Sequence, residues 1–246
     1  MLGRTKTYKY VVLVGSTSDL GLALLKALPY SNDAEILLVG KVTPEHFDVE
    51  NAKVTISFHK CDLEKFEDLE IFASKLSTFP DIDLAIMAVG YLPPENEEFD
   101  LRLVNKSMMI NTVGVVNAIA VLAKRMRYQK HGHILHISTV AALRPRSRNF
   151  TYGASKSSAD FFARGILSKY RKTGLKVSIL RPGYVFTKMS KNFKAAPFAI
   201  TKEAVSLIAA KNLLRGAEVF YAPRKLRIVM KIFSYLPRLI SDALSK

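Results

Sequence analysis

Apolar residues come along this chain in short unbroken runs, set between longer stretches in which they recur at helical spacing. The runs predict strands at Tyr10–Val14, Glu35–Val39, Val54–Phe58, Leu84–Val89, His133–Ile137, Lys176–Leu180 and Glu218–Tyr221. The periodic stretches predict helices near Asp19–Leu28, Lys65–Leu76, Leu101–Arg127, Tyr152–Lys172 and Lys202–Leu214. Strand and helix alternate, which is the pattern of βαβ units. The first, second and fourth runs are continuous Val/Ile/Leu, as strands buried on both faces require. The fold class expected is therefore α/β: a single Rossmann-type, doubly wound parallel sheet of about seven strands with helices on both faces. No Pro/Gly/Ser-rich linker or repeat divides the chain, so residues 1–246 read as one domain, with a basic amphipathic segment at 224–246.

In such sheets ligands sit beyond the carboxyl ends of the strands. The chemically suggestive residues fall there. Gly15-Ser16-Thr17-Ser18-Asp19-Leu20-Gly21 joins the first strand to the first helix. Its glycines let the backbone approach a pyrophosphate, whose charge the helix N-terminus holds; an ordinary strand-to-helix turn is the competing reading. After the second strand comes Gly40-Lys41. A carboxylate there would bind a ribose 2′-hydroxyl, whereas the absence of one and the cation of Lys41 favour NADP over NAD. Asp62, with Leu63 after the third strand, suits an adenine edge or a helix cap. Ala88 and Gly90 leave room for a flat cofactor, and Asn111 is a poor residue for a helix interior unless it has a polar task.

Tyr152 and Lys156 are four apart, so on a helix they share a face. A fixed cation about 4 Å from a phenol, at an effective dielectric of about 20, stabilises the phenolate by roughly 4 kcal/mol. That is enough to bring a tyrosine toward neutral pH as a general acid/base. An exposed helix face is the bland alternative.

Charge changes the picture more than composition does. The chain carries 37 Lys and Arg against 21 Asp and Glu, a formal net charge of +16, which calls for an anionic partner. Arg144, Arg146 and Arg148 precede the tyrosine and suit a substrate phosphate, or form a solvated loop. The segment from Arg224 onward interleaves basic and apolar residues, as for a helix lying on an acidic membrane face or packed on the sheet or a partner subunit. The single cysteine, Cys61, excludes an intramolecular disulfide and a multi-cysteine metal site, and it favours a reducing, cytoplasmic compartment. No metal site is expected. The run at Tyr10–Val14 is too short for a signal-peptide core, and no eighteen consecutive residues are apolar, so no transmembrane helix is expected.

Taken in order, Gly15-x5-Gly21, Asp62, Ala88-x-Gly90, Asn111, Ser138, Tyr152-x3-Lys156 and Arg181-Pro-Gly-Tyr-Val-Phe-Thr187 make the chain resemble the short-chain dehydrogenase/reductase family over nearly its whole length. Asp19 in place of a glycine and Met87 before Ala-x-Gly depart from its pattern. The resemblance implies an NAD(P)H-dependent reductase of a carbonyl. Ser138 would hold the substrate carbonyl, Tyr152 would donate the proton, Lys156 would lower its pKa and bind ribose, and Asn111 would keep a water in line with Lys156. Pro182 and Gly183 would pass close to the nicotinamide, Val185 would also contact the cofactor, Thr187 would bind the carboxamide or the phosphates, and the family's pairing of helices implies a homodimer or homotetramer. The stretches Arg144–Tyr152, Lys188–Ser190 and Tyr221–Met230 further resemble reductases of a 2-keto sugar carried on a polyprenyl phosphate, of the decaprenylphosphoryl-2-keto-pentose type; these use NADH, against the reading from Lys41. A soluble ketone or 3-oxoacyl thioester substrate is the alternative. Of another class are a non-catalytic nucleotide-binding or structural protein and, less favoured, a nucleic-acid binder.

Overall fold

The computed structural model describes residues 7–49, 53–95 and 99–235. In chain order the elements are β1 (Tyr8–Val14), α1 (Asp19–Lys26), β2 (Tyr30–Gly40), β3 (Val54–Lys60), α2 (Phe66–Thr78), β4 (Leu84–Met87), α3 (Leu101–Met108), α4 (Val115–Met126), β5 (His133–Ile137), α5 (Phe150–Tyr170), β6 (Lys176–Pro182), β7 (Val185–Phe186), β8 (Ile200–Thr201), α6 (Lys202–Arg215), β9 (Val219–Ala222) and α7 (Lys225–Tyr235). Seven strands form one parallel sheet in the order β3-β2-β1-β4-β5-β6-β9, and β7 and β8 pair separately. The strand order reverses between β1 and β4, which opens a crevice at their carboxyl ends.

The sheet is buried on both faces, so alternate residues of each strand feed different cores. Val12, Val14, Leu37 and Ala85 pack with α2, α4 and α5 on one side. Val11, Leu13, Ile36 and Ile86 pack with α1 and α6 on the other. The expected α/β class holds. Two boundaries differ for physical reasons. β2 begins at Tyr30, earlier than its apolar run, because Tyr30 pairs with Tyr8 and its hydroxyl donates to Leu25 O. The long helix expected at Leu101–Arg127 is instead α3, a π-helical turn at Met109–Gly114, and α4. By length and composition Leu101–Met126 is apolar enough to cross a membrane, but in the fold its α4 half contributes Val115, Ile119 and Leu122 to the core.

The predicted basic segment forms α7 as far as Tyr235; its remainder, 236–246, lies outside the described residues. Leu226 and Met230 of α7 bury against Val140. The helix thereby roofs the crevice.

Candidate active site

The turn after β1 is shaped by close backbone approach. Gly15 has φ +106°, and a Cβ on it would stand 2.9 Å from the carbonyl of Ala88. A Cβ on Gly40 would stand 2.2 Å from Ser16 Oγ, which donates to Val42 O. Ser18 caps α1 by accepting from Gly21 N–H at 3.1 Å, so the first-turn amides of α1 face the crevice. Asp19 reaches the other wall: its carboxylate accepts from the backbone N–H of Lys188 at 2.6 Å. This residue, a departure from the glycine pattern, ties the turn to the segment over the crevice.

Lys41 does not project free. Its ammonium lies 3.0 Å from Asp62 Oδ1 and pairs still more closely with Glu64. The three groups sum to one negative charge, which removes the ground for preferring NADP. The sequence shows the cation but not the two carboxylates that the parallel register of β2 and β3 brings beside it; Gly40 is the partner of Lys60.

At the ends of β4 and β5 stand the groups with proton chemistry. Lys156 is buried on α5, and its ammonium donates to Ile137 O at 3.0 Å and Val89 O at 3.3 Å. Burial pulls its pKa down to about 8, opposed by the charge of Asp160. Tyr152 is pushed up to about 12 by burial, offset in part by a hydrogen bond with the side chain of Thr139. Lys156, whose ammonium donates to backbone carbonyls, adds no lowering in this arrangement. A phenol held protonated is the form that a proton donor needs.

Ser138 also departs from expectation. It borders the crevice, but its hydroxyl donates to Asp160 Oδ1 at 2.7 Å, and the residue is 3% exposed. Thr139 takes the place beside Tyr152. Asp160, one turn beyond Lys156, accepts four hydrogen bonds in all: from Ser138, from Arg164 Nε at 3.1 Å, and from Arg181 Nε and Nη2 at 3.0 and 2.7 Å. Burial raises this carboxyl, and the Arg181 and Ser138 hydrogen bonds with the Arg181 charge outweigh it, leaving it below the usual carboxylate range. Next to them His136 is fully buried with neither ring nitrogen hydrogen-bonded, and burial pushes it down to about 3, so it is neutral.

Asn111 sits in the π-helical turn. Its amide donates to Tyr91 O at 2.7 Å, Ser155 Oγ at 3.0 Å and Ser107 Oγ at 3.2 Å, and its Oδ1 accepts from Tyr91 N–H at 2.7 Å. Its donors are thus spent on protein. Only one lone pair of Oδ1 is left for the water expected there.

Ser138, Thr139, Tyr152 and Lys156 open on one cavity of about 1360 Å³, with Asn111, His136, Asp160 and Arg181 behind its wall. Its walls run from Gly15, Gly40, Asp62 and Leu63, past Ala88, Gly90, Tyr152, Lys156, Pro182, Gly183, Val185 and Thr187, to a mouth lined by Met189, Phe193, Phe198 and the α7 residues Leu226, Val229, Met230 and Phe233. At that mouth the three arginines diverge. Arg144 donates to Phe233 O and so holds α7. Arg148 is exposed. Arg146 is pulled down by burial, and no carboxylate among the described residues pairs with it.

Residues 9–197 match the short chain dehydrogenase family. The chain belongs to that family. An uncharacterized oxidoreductase of Mycobacterium tuberculosis is 28% identical over 238 residues, covering 94% of each chain. Among solved structures, a short-chain dehydrogenase from Burkholderia cenocepacia in complex with NADP superposes with a TM-score of 0.74 at 20% identity, over 87% of this chain and 88% of that one. A 3-oxoacyl-[acyl-carrier protein] reductase from Brucella melitensis in complex with NAD gives 0.75 at 18% identity, over 88% and 96%. This short-chain dehydrogenase is thus an oxidoreductase of the CH–OH/C=O class with a nicotinamide dinucleotide as cofactor.

Within the dehydrogenase, Thr139 and Glu64, which border the site, and Asp160, which lies behind it on Ser138, are the residues that sequence reasoning missed. Asp160 was legible: it lies on the face of α5 that carries Tyr152 and Lys156, at spacings of four and eight. Thr139 was next to the residue chosen.

Proposed function

We propose that the dehydrogenase uses NADH to reduce the carbonyl of an anionic amphiphile, of which a 2-keto sugar on a polyprenyl phosphate is the favoured member. The observation that carries this reading is the single cavity, which exceeds the roughly 300–1,000 Å³ usual for one small ligand and changes from polar to apolar along its length. The cofactor end fits a dinucleotide because the backbone is pinched where added Cβ atoms would fill the space, at Gly15 and Gly40. The amides opening α1 would hold a pyrophosphate, and Asp62 with Glu64 would take the adenosine ribose while repelling a 2′-phosphate. When bound, the nicotinamide supplies the hydride.

The chain's own residues do the rest. Thr139 and Tyr152, whose side chains hydrogen-bond each other, would together hold the carbonyl oxygen. Tyr152 then gives its proton to the oxygen as negative charge develops on it. Lys156, at the inner end, would donate from its ammonium to the ribose hydroxyls of the cofactor. Asn111 fixes the backbone at Tyr91, and Ser138 serves Asp160 and not the substrate. At the mouth Arg146, with no carboxylate partner among the described residues, offers a cation for a phosphate, and Met189, Phe193, Phe198, Val229 and Phe233 offer apolar surface for a chain. The helix pairing usual in the family makes a homodimer or homotetramer the working assembly.

A stopped assay following NADH oxidation tests the reading, with a short-chain prenyl-phosphate keto-sugar against the same sugar lacking phosphate. Preference for the phosphorylated substrate, lost in Arg146→Gln, supports it. Equal turnover of both moves the assignment to a soluble ketone.

A further inference from the structure

We infer that the mouth of the cavity is a docking surface for an anionic lipid bilayer, so that an amphiphilic substrate enters from the membrane under α7; this rests on the reading above for why a lipid would be needed, but not for the binding itself. The first observation is how charge is distributed. Three segments form the mouth: 139–159, 183–202 and 219–235. Together they hold twelve of the 37 basic residues, one of them the buried Lys156, and none of the 21 acidic ones, so most of the net charge of +16 is concentrated around one opening. Such a field attracts an anionic surface before contact is made.

The second observation is which apolar side chains are left outside. The inner face of α7 is spent on the cavity through Leu226, Val229, Met230 and Phe233. Its outer face carries Ile228, 66% exposed, Ile232, 55% exposed, and Tyr235, interleaved with Arg227 and Lys231 about a shallow depression. Across the opening stand Met189, Phe186 and Phe198, each at least 43% exposed, beside the exposed Lys188, Lys191 and Lys194. Aliphatic and aromatic tips ringed by lysine and arginine suit an interface in which the tips enter the acyl boundary while the cations stay among headgroups. A nucleic acid would use the cations but leave the isoleucines in water.

The test is flotation of the full chain with vesicles of phosphatidylcholine, alone or mixed with phosphatidylglycerol, at low and physiological salt. The expected result is flotation with the anionic vesicles only, weakened but not abolished by salt. The double variant Ile228→Asp/Ile232→Asp should partition at least about tenfold more weakly, because apolar burial is lost and like charge is added. Both positions are exposed, so NADH titration and turnover of a small soluble ketone should match the parent chain. Equal flotation with both vesicle types, or undiminished flotation of the variant, would overturn the inference. So would a variant that changes the molecular mass by light scattering, since the patch would then be a contact between copies. If the parent chain floats but neither binds NADH nor reduces a ketone, the reductase reading fails and the docking surface stands.

Discussion

Replacing Asp160 by Asn keeps the side chain's shape and removes its charge, and the structure sets what should follow. The carboxylate is 2% exposed and holds Arg181, whose side chain is 9% exposed, in a two-pronged pair. An amide has one acceptor oxygen, and its NH2 would face a guanidinium that also only donates. Arg181 keeps its hydrogen bond to Tyr221 Oη at 3.0 Å but loses its counter-ion. Leaving one partner of a buried pair uncompensated costs about 3–5 kcal/mol. At about 2–4 °C per kcal/mol for a chain of this length, melting should fall by on the order of 10 °C. The catalytic consequence has a definite sign. Burial lowers the Lys156 pKa and the Asp160 charge raises it, to a balance of about 8. Without that charge the ammonium gives up its proton at lower pH, and His136 is neutral and cannot substitute. The alkaline limb of kcat/KM for reduction should therefore move down in pH. Calorimetry and a pH series with NADH and a soluble ketone read both effects. Adding Arg181→Met to the variant should restore much of the melting temperature without returning the limb. A melting shift below about 3 °C, or an unmoved limb in a folded variant, refutes the reasoning.

Other consequences are as direct. Thr139→Ala should lower kcat by about a hundredfold with little change in melting, while Ser138→Ala should cost about 1–2 kcal/mol of stability and much less rate; the reverse ranking in steady-state assays would return the carbonyl to Ser138. Glu64→Gln brings the Lys41 trio from one negative charge to none, and the ratio of NADPH to NADH affinity, by fluorescence titration, should rise about tenfold. In the parent chain, reduction should fall as pH rises through about 8, where Lys156 loses its charge. The same lowered pKa means that the buried cation penalises the fold below pH 8, and that this penalty disappears as pH climbs toward the unfolded value of 10.5, which a melting series across that window should detect. Gly15→Ala, forced to φ +106° against Ala88, should lose about 1–3 kcal/mol of stability together with dinucleotide affinity.

The sheet was readable because strands covered on both faces have no polar side to break their apolar runs, and His133–Ile137 matches its prediction to the residue. Where function depends on the side toward which a residue points, the sequence is less explicit. Ser138 and Thr139 follow the last residue of β5, and neighbours in extended chain face opposite ways, so a step of one residue exchanges the buried hydroxyl for the one beside Tyr152. Lys41 was visible as a charge, but its pairing with Asp62 and Glu64 depends on strand register, which spans about twenty residues of chain. The arginines were legible as a cluster; that Arg144 holds α7, while Arg146 meets no carboxylate among the described residues, depends on a helix about eighty residues later.

The π-helical turn at Met109–Gly114 has a consequence for how this molecule tolerates change in chain length. Asn111 gives Tyr91 both a donor and an acceptor, as a peptide group on an adjoining strand would, so a helix side chain supplies one rung of pairing to the loop beyond β4. That rung exists because the turn is wound more widely than the helix around it. Deleting one residue from the turn would let α3 and α4 join as a regular helix, with better local hydrogen bonding, yet it would turn one flank relative to the other by about 100°. Asn111 would swing away from Tyr91, and the strip of backbone leading from Gly90 past Lys156 would lose its anchor. The helix here holds its irregular phase against its own preference, and the shape of the crevice depends on that mismatch.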